Sequence, residues 1–266
     1  ERIDPGNPHF GLTNTPKVVG GIDSESADRA VGVYESMGIA TVRAKGTREA
    51  ELAKILENTY RHVNIALVNE LVKFCRPLGI DLSDAIRCAS SKPFGFEAFY
   101  PGPGVGGHCI PVDPHYLSHH VRRRLGRPFR FVELAQEIND GMPIYVVDRL
   151  QEELNELATP LSTARVLVLG VTYKPDVADT RETPAVEVVR ELVERGASVH
   201  YSDPYVHDWI SKDHVIPRVE LTDASGYDAV ILLQRHAGFE ERLILDSGRL
   251  ILDTRNVISA PNVRYL

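Results

Sequence analysis

A loop rich in glycine and proline carries the residues best suited to chemistry in this sequence. It covers residues 100–116 and reads YPGPGVGGHCIPVDPHY. Three of its glycines fit the GxGxxG spacing of dinucleotide-binding turns, but such a turn needs a strand before it and a helix after it. Pro101 and Pro103 open the segment, and Pro111 and Pro114 are expected to block a following helix. The pattern therefore predicts a rigid loop and not a dinucleotide-binding turn.

Cys109 is the candidate nucleophile of this loop. The neighbouring glycines allow close backbone approach and offer exposed amide N–H groups, which stabilise a thiolate. Asp113 lies on the same loop and could orient or deprotonate a water molecule. His108 is discounted as a partner, because adjacent side chains usually point apart. Cys75 and Cys88 lie on predicted apolar helix faces, and both are interpreted as buried small hydrophobic residues.

Two further groups could stabilise negative charge. Lys54 and Asn58 are four residues apart on a predicted helix and share one face. Such a pair is commonly a solvated stripe, but beside a nucleophilic cysteine its ammonium and amide could stabilise an alkoxide. Lys174 and Arg181 lie in the loop after a predicted strand, and Arg255 follows the last predicted strand. Because phosphates bind at that edge of a parallel sheet, these three cations indicate an anionic ligand.

The elements that position these residues begin with a short α/β segment. Through Arg43 the sequence predicts a loop, one strand at Val18–Val19 and one helix from about Ser26 to Gly38. One strand and one helix are too little for a domain, so this segment is interpreted as the tail of one. The missing initiator methionine leads us to expect that the chain starts inside a longer protein.

A helical part follows. Thr47 is the predicted N-cap of a helix in which apolar residues recur at helical spacing without proline or glycine. A helix of this length is typical of a spine between domains or of a dimer surface. Further helices are predicted from about Ser83 and over roughly 131–157, the last one bent at Gly141. The loop between Lys92 and Pro114 is the expected exception, and three arginines at 122–124 are expected to form a solvated helix end.

The last part alternates strands and helices. Thr183 and Pro184 are a predicted N-cap and first helical position, and the helix is expected to stop at Gly196. Short apolar runs predict buried parallel strands at 166–169, 197–201, 229–233 and 250–252. The fold class is therefore α/β, with a helical middle domain built on a long spine helix and then a Rossmann-like parallel α/β domain. The expected boundaries are 1–45, 46–158 and 159–266.

Composition narrows the possible functions. The net charge of −7 argues against a nucleic-acid or anionic-lipid partner. No apolar stretch approaches the ~20 residues that span a bilayer, and neither a signal nor a transit peptide is recognised at the N-terminus. Three cysteines without repeated spacing argue against a disulfide framework or a zinc site and indicate a reducing compartment. A cytoplasmic protein without a metal is expected.

With these residues considered, the chain resembles the UDP-glucose/GDP-mannose dehydrogenase family over nearly its whole length. Any one of the matching motifs could be coincidence, but five of them in the family's order are highly specific. The motifs are AELAKILEN from Ala50, GGHCIPVDP from Gly106, GVTYKPD from Gly170, DTRETPA from Asp179 and DTR from Asp253.

The resemblance implies an NAD-dependent oxidation of a nucleotide-sugar alcohol to a carboxylate in two hydride steps. Cys109 would form a thiohemiacetal and then a thioester, which Asp113, helped by Glu1, would hydrolyse. Lys54 and Asn58 would assist alkoxide formation with an ordered water.

The resemblance also implies binding residues. The substrate contacts would be Tyr100, Gly106, Lys174 and Arg255, and Arg181 would approach the NAD cofactor. The long helix would form a homodimer. The family's nicotinamide-binding fingerprint would precede Glu1, so this chain alone is expected to bind NAD poorly and to be inactive.

The subgroup with the greatest likeness acts on UDP-N-acetylhexosamines, which indicates UDP-N-acetylglucosamine or UDP-N-acetylmannosamine as substrate and a role in polysaccharide biosynthesis. Two alternatives remain open. One is a UDP-glucose 6-dehydrogenase, and the other is a catalytically silent fragment that binds a nucleotide sugar and dimerises.

Overall fold

A short parallel strand pair opens the computed structural model, which describes residues 7, 9–211 and 214–266. Strand β1 (Lys17–Val19) pairs in parallel with β2 (Thr41–Arg43), and helix α1 (Ser24–Ser36) connects them. The side chain of Asp23 caps α1 by accepting a hydrogen bond from the amide of Ser26. The sequence predicted the first strand and the helix but missed β2, whose residues are exposed or only partly buried and give no apolar signal.

Five helices form the middle of the chain. They are α2 (Thr47–Cys75), α3 (Leu82–Ala89), α4 (Cys109–Leu125), α5 (Arg130–Asp140) and α6 (Met142–Glu156). The 29-residue α2 confirms the predicted spine, although Gly46 and not Thr47 is its N-cap. The predicted bend at Gly141 is a full break between α5 and α6. Helix α4 starts within the segment predicted as a loop.

A five-stranded parallel sheet forms the rest of the fold. Its strands, in spatial order, are β4 (Ser198–Ser202), β3 (Arg165–Leu169), β7 (Tyr227–Leu232), β8 (Gly248–Asp253) and β9 (Val263–Tyr265). Helices α7 (Ala185–Glu194) and α8 (Glu241–Ser247) lie in the β3–β4 and β7–β8 connections, and β5 (Ile210–Ser211) and β6 (His214–Val215) form a separate antiparallel pair. This confirms the predicted Rossmann-like α/β architecture.

Side chains from both faces of the sheet are buried. One apolar cluster joins β3, β4, β7 and β8 to helices α6 and α7, and a second covers the opposite face with α8. The apolar face of α6 thus packs on the sheet, with Val146, Leu150 and Leu154 fully buried. The carboxyl ends of β3, β7 and β8 consequently face the helical part of the chain across one cleft. Among the described residues no helix is long and apolar enough to cross a membrane.

Candidate active site

Cys109 is the first residue of helix α4. The prediction that prolines would keep this segment a loop was wrong. Pro111 falls in the first helical turn, where a backbone N–H has no partner to lose, and only Pro114 lies deeper in the helix. Cys109 and Asp113 are therefore one helical turn apart on one face, and the exposed thiol lies at a helix N-terminus, which favours negative charge.

The glycines before Cys109 pack tightly against the loop that follows β3. A Cβ atom on Gly106 would lie 2.6 Å from the Cβ of Tyr173 and 2.8 Å from the carbonyl oxygen of Glu182, and one on Gly107 would lie 2.8 Å from the Tyr173 ring. The amide of Gly107 donates to the carbonyl of Arg181 over 3.0 Å. This amide is thus engaged and not exposed as predicted. The glycines act by letting the two loops touch.

Lys54, Asn58 and Asp113 meet on the helical side of the site. The amide nitrogen of Asn58 donates to Oδ2 of Asp113 over 2.9 Å, and the ammonium of Lys54 lies 3.2 Å from the same oxygen. Asn58 is buried, whereas the Lys54 side chain keeps 40% of its exposure. The predicted pair on α2 is therefore joined by the carboxylate of α4, an arrangement that can pass a proton to or from a bound hydroxyl.

A cavity of about 500 Å³ brings most of the predicted residues together. Its walls include Lys54, Asn58, Tyr100, Gly106, Cys109, Lys174, Arg181 and Arg255. Asp113 lies behind this wall, bonded to two of its members. Glu1 lies outside the described residues. Within the described part of the chain no group of three or more potential ligands could hold a metal ion.

Arg255 is held by backbone and side-chain acceptors on the sheet side. Its Nε donates to the carbonyl of Leu233 over 2.7 Å and its Nη2 to Oε1 of Gln234 over 3.1 Å. Burial lowers the pKa of its guanidinium to about 10, which leaves it charged near neutral pH. A Cβ on Gly102 would lie 2.9 Å from Nη1 of Arg255, so this end of the glycine loop rests on the guanidinium.

Arg181 lies at the same cavity with a more open side chain. Its Nε and Nη2 donate to the carboxylate of Asp179, and 65% of the side chain remains exposed. This ion pair, with its hydrogen bonds, lowers the pKa of Asp179 and raises that of Arg181. Asp179 thus orients the guanidinium, and the exposed part of the side chain can be reached by an anion from solvent.

Sequence reasoning missed two cavity residues and misjudged a cysteine. Arg61 and Ile65 line the cavity, and both continue the stripe of Lys54 and Asn58 along α2 at helical spacing, so extending the stripe by two turns would have found them. Cys75 is buried as predicted, but Cys88 is exposed on the short helix α3. The polar face of α3 carries Cys88 beside Asp84 and Arg87.

Two family models match the chain over the parts just described. The UDP-glucose/GDP-mannose dehydrogenase family, central domain, matches residues 48–141, and the UDP binding domain of the same family matches residues 167–260. The chain therefore belongs to the UDP-glucose/GDP-mannose dehydrogenase family. The resemblance inferred from the motifs is confirmed.

Several relatives that the chain resembles are dehydrogenases of UDP-N-acetylhexosamines. The chain is 34% identical to the UDP-N-acetyl-D-mannosamine dehydrogenase of Methanocaldococcus jannaschii over 97% of this chain and 59% of the relative. It is 35% identical to the UDP-N-acetyl-D-glucosamine 6-dehydrogenase of Pseudomonas aeruginosa over 90% of this chain and 57% of the relative. The solved UDP-D-ManNAc dehydrogenase of Pyrococcus horikoshii superposes with a TM-score of 0.83 at 30% identity, covering 100% of this chain and 63% of that one. The chain thus spans about three-fifths of the length of these relatives.

Proposed function

We propose that this chain is the substrate-binding and covalent-catalysis part of an NAD-dependent UDP-sugar 6-dehydrogenase that acts on a UDP-N-acetylhexosamine. One observation carries the proposal. Lys54, Asn58 and Asp113 meet within hydrogen-bond distance one helical turn from Cys109, beside a cavity that Lys174 and Arg255 also line. The first group suits oxidation of an alcohol, and the second suits a diphosphate.

The residues of the helical side would divide the chemistry. Lys54 and Asn58 stabilise the alkoxide as the C6 alcohol loses its proton. The sulfur of Cys109 adds to the aldehyde carbon and gives a thiohemiacetal, whose oxidation leaves a thioester on Cys109. Asp113 takes a proton from the water that attacks the thioester, which releases the carboxylate and the thiol. The same thiol is then ready for the next substrate.

Two hydrides leave the substrate in this sequence, and each would pass to a separate molecule of a nicotinamide dinucleotide. Arg181 suits its phosphates, because the guanidinium is oriented by Asp179 and exposed at the cavity that Cys109 also lines. The GxGxxG spacing within 102–107 does not supply a dinucleotide-binding turn, since the element before it is helix α3 and no strand leads directly into it. Arg181 would therefore act as one contact among others.

Alkylation of the cysteines tests the site in the chain as it stands. Iodoacetamide should modify both exposed cysteines, and saturating UDP-N-acetylglucosamine or UDP-N-acetylmannosamine should protect Cys109 while leaving Cys88 unchanged. Peptide mass spectrometry reads the two sites in the same sample, so Cys88 is the internal control. Equal rates at Cys109 with and without every UDP-sugar, together with no rise in melting temperature, would contradict the proposal.

Kinetics of the full-length protein test the covalent step. Cys109→Ser should keep some alcohol oxidation but nearly abolish carboxylate formation, because the second oxidation needs the covalent intermediate. Asp113→Asn should slow acid formation by roughly 10²–10⁴-fold and accumulate a Cys109 adduct visible in the intact mass. Carboxylate production by Cys109→Ser at the unmodified rate would remove Cys109 from the nucleophile role.

We also propose that α2 forms a homodimer surface. Apolar side chains at helical spacing form one exposed stripe along it: Leu52, Leu56, Tyr60, Leu67, Leu71 and Phe74. An apolar stripe of this length on a monomer is typical of an interface. Leu67→Asp should shift the molar mass from dimer to monomer in light scattering, whereas Val33→Asp on α1, equally exposed, should not. A monomeric parent protein would refute this surface.

A further inference from the structure

A buried histidine–aspartate pair lies at the carboxyl end of the sheet, beyond the residues assigned above. His236 and Asp203 are both fully buried, and Nε2 of His236 lies 3.0 Å from Oδ2 of Asp203. Burial opposes ionisation of Asp203, but hydrogen bonds from His236 and from the amides of Tyr205 and Val171 outweigh it and hold the pKa of this carboxyl below its usual value. A buried carboxylate that is hydrogen-bonded to a buried imidazole requires an explanation.

The pair resembles part of a hydrolytic triad, but its bonding excludes that role. The hydroxyl of Thr172 lies 3.3 Å from Nε2 of His236, the nitrogen that also faces Asp203. In a triad the carboxylate and the nucleophile occupy opposite nitrogens of the ring. Here the other nitrogen, Nδ1, accepts the amide N–H of Asp176 over 3.0 Å. These partners assign the neutral ring with its proton on Nε2, a geometry that fixes a backbone and activates no nucleophile.

The backbone that the pair fixes is the loop after β3. Asp203 accepts the amide of Val171 over 2.8 Å at the start of the loop, and His236 accepts that of Asp176 further along it. Between them the hydroxyl of Thr172 donates to the carbonyl of Lys174 over 2.9 Å. Every one of these bonds is therefore made within two or three residues of Lys174, whose side chain lines the cavity of Cys109.

The last residue of this bonded stretch holds an unfavourable backbone conformation. Asp176 has φ of 58°, in the left-handed region that non-glycine residues rarely adopt. Its Oδ1 accepts the amide of Ala237 over 2.8 Å, and that residue directly follows His236. Asp176 and the segment of His236 and Ala237 are thus joined by two bonds, one donated from each side, and these bonds restrict the conformations open to the loop.

We propose that His236 and Asp203 are positioning residues for Lys174, and that their bonds to the loop hold its ammonium at the diphosphate of the substrate. The inference rests on the proposed function, since it needs an anionic ligand in the cavity. Neither residue touches the reacting atoms. Their contribution is the conformational entropy of the loop, which is lost on folding instead of on ligand binding.

A double-mutant cycle on UDP affinity separates positioning from general stability. Lys174→Met should weaken UDP binding about tenfold to a hundredfold in titration calorimetry. His236→Asn and Thr172→Val should each weaken it about threefold to thirtyfold alone, but within about twofold in the Lys174→Met background, because both act through Lys174. Thr172→Val keeps the side-chain volume, so it serves if the histidine variant fails to fold.

The matched control is His200→Asn, a partly buried histidine within β4 of the same sheet. It should change UDP affinity by less than about twofold whatever it does to the melting temperature. Additive losses of affinity in the cycle, or full affinity in both single variants, would overturn the positioning role. Absence of UDP binding to the unmodified chain would instead refute the proposed function, so the two failures are distinguishable.

Discussion

The two halves of this molecule, the helical part from α2 to α5 and the parallel sheet with its packed helices, differ in the share of their buried side chains that is polar. The sheet is filled with fully buried apolar residues such as Leu167, Val168 and Leu232. The helical part buries amides and an imidazole: Asn69 Nδ2 donates to Oδ1 of Asn139 over 2.9 Å, and Asn139 lies 3.4 Å from Nδ1 of His62. On the sheet side, apolar packing holds the strand ends from which the loops extend. The buried polar groups of the helical part hold one particular loop in place.

The hydrogen-bonded side chains of Asn69 and Asn139 connect to the glycine loop. Asn69 accepts the amide of Gly102 over 2.9 Å, so the buried network of α2 and α5 holds the loop that leads to Cys109. The two halves therefore aim their loops in different ways. On the sheet side the strand ends and a His–Asp pair fix the backbone, whereas on the helical side side-chain amides do so. Buried amides are costly unless fully paired, and this predicts different responses to mutation and pH.

The largest effect is expected in the apolar half. Leu232→Ala in the central strand β7 should lower the free energy of unfolding by about 2–5 kcal/mol, because it removes a fully buried side chain and leaves a cavity. The loss should be the same at mildly acidic and neutral pH. Val215→Ala, at a position 77% exposed, is the control in chemical denaturation and should change little. A loss of stability that depends strongly on pH would contradict the proposed difference between the apolar and the polar half.

The polar half should be nearly as sensitive to a change that removes no apolar group. Asn69→Ala leaves the Gly102 amide and Oδ1 of Asn139 buried without partners, which should cost about 2–4 kcal/mol of unfolding free energy. Asn64→Ala on the same helix removes only a bond to its own helix and is the matched control.

The rate of Cys109 alkylation provides a second measurement on the Asn69→Ala variant. Freeing the Gly102 amide should loosen the loop, so alkylation of Cys109 should speed up in Asn69→Ala while that of Cys88 stays unchanged. Equal stability of the Asn69 and Asn64 variants would contradict a stabilising role of the buried Asn69–Asn139 hydrogen bonds.

The acid response sharpens the contrast. Burial, with a smaller repulsion from His115, lowers the pKa of His62 to about 4, so the folded state takes up its proton later than the unfolded chain does. The unfolded chain therefore binds more protons between the two pKa values, and stability falls as pH drops through that window. The expected loss from this residue is about 2 kcal/mol between about pH 7 and about pH 5. Urea denaturation at the two pH values measures it.

The control for the acid response is a substitution that cannot titrate. His62→Gln should remove most of this pH dependence even though it lowers stability at neutral pH. His119→Gln, at an exposed histidine of α4, should leave it intact. If the His62 variant keeps the full pH dependence, the titrating group lies elsewhere.

The sequence revealed the apolar half far better than the polar half. Hydrophobic runs at 166–169 and 229–233 predict buried strands because transfer from water acts on each residue locally. The hydrogen bond between Asn69 and Asn139 was not predicted, because the two residues are 70 positions apart in the sequence and no local pattern indicates which buried amides will pair. The start of α4 was missed for an energetic reason: a proline costs one hydrogen bond, which packing against α2 can offset.

The smallest effect is expected where the halves join. Glu153 of α6 accepts a hydrogen bond from each of three arginines: Arg76 at the end of α2 over 2.8 Å, Arg149 over 2.7 Å and Arg264 of β9 over 3.1 Å. Since Glu153 keeps two partners when Arg76 is removed, and Arg76 is 38% exposed, Arg76→Ala should cost only about 0.5–1 kcal/mol of unfolding free energy. Arg149→Met, at a position 3% exposed, should cost more, about 1.5–3 kcal/mol, because Arg149 also pairs with Glu152 and its loss leaves the buried Glu153 carboxylate with only its two partly exposed partners. Chemical denaturation of the two variants measures both, and high salt should shrink the small effect more than the large one. Equal losses would show that the junction between the halves depends on Arg76 as much as on the buried ion pair.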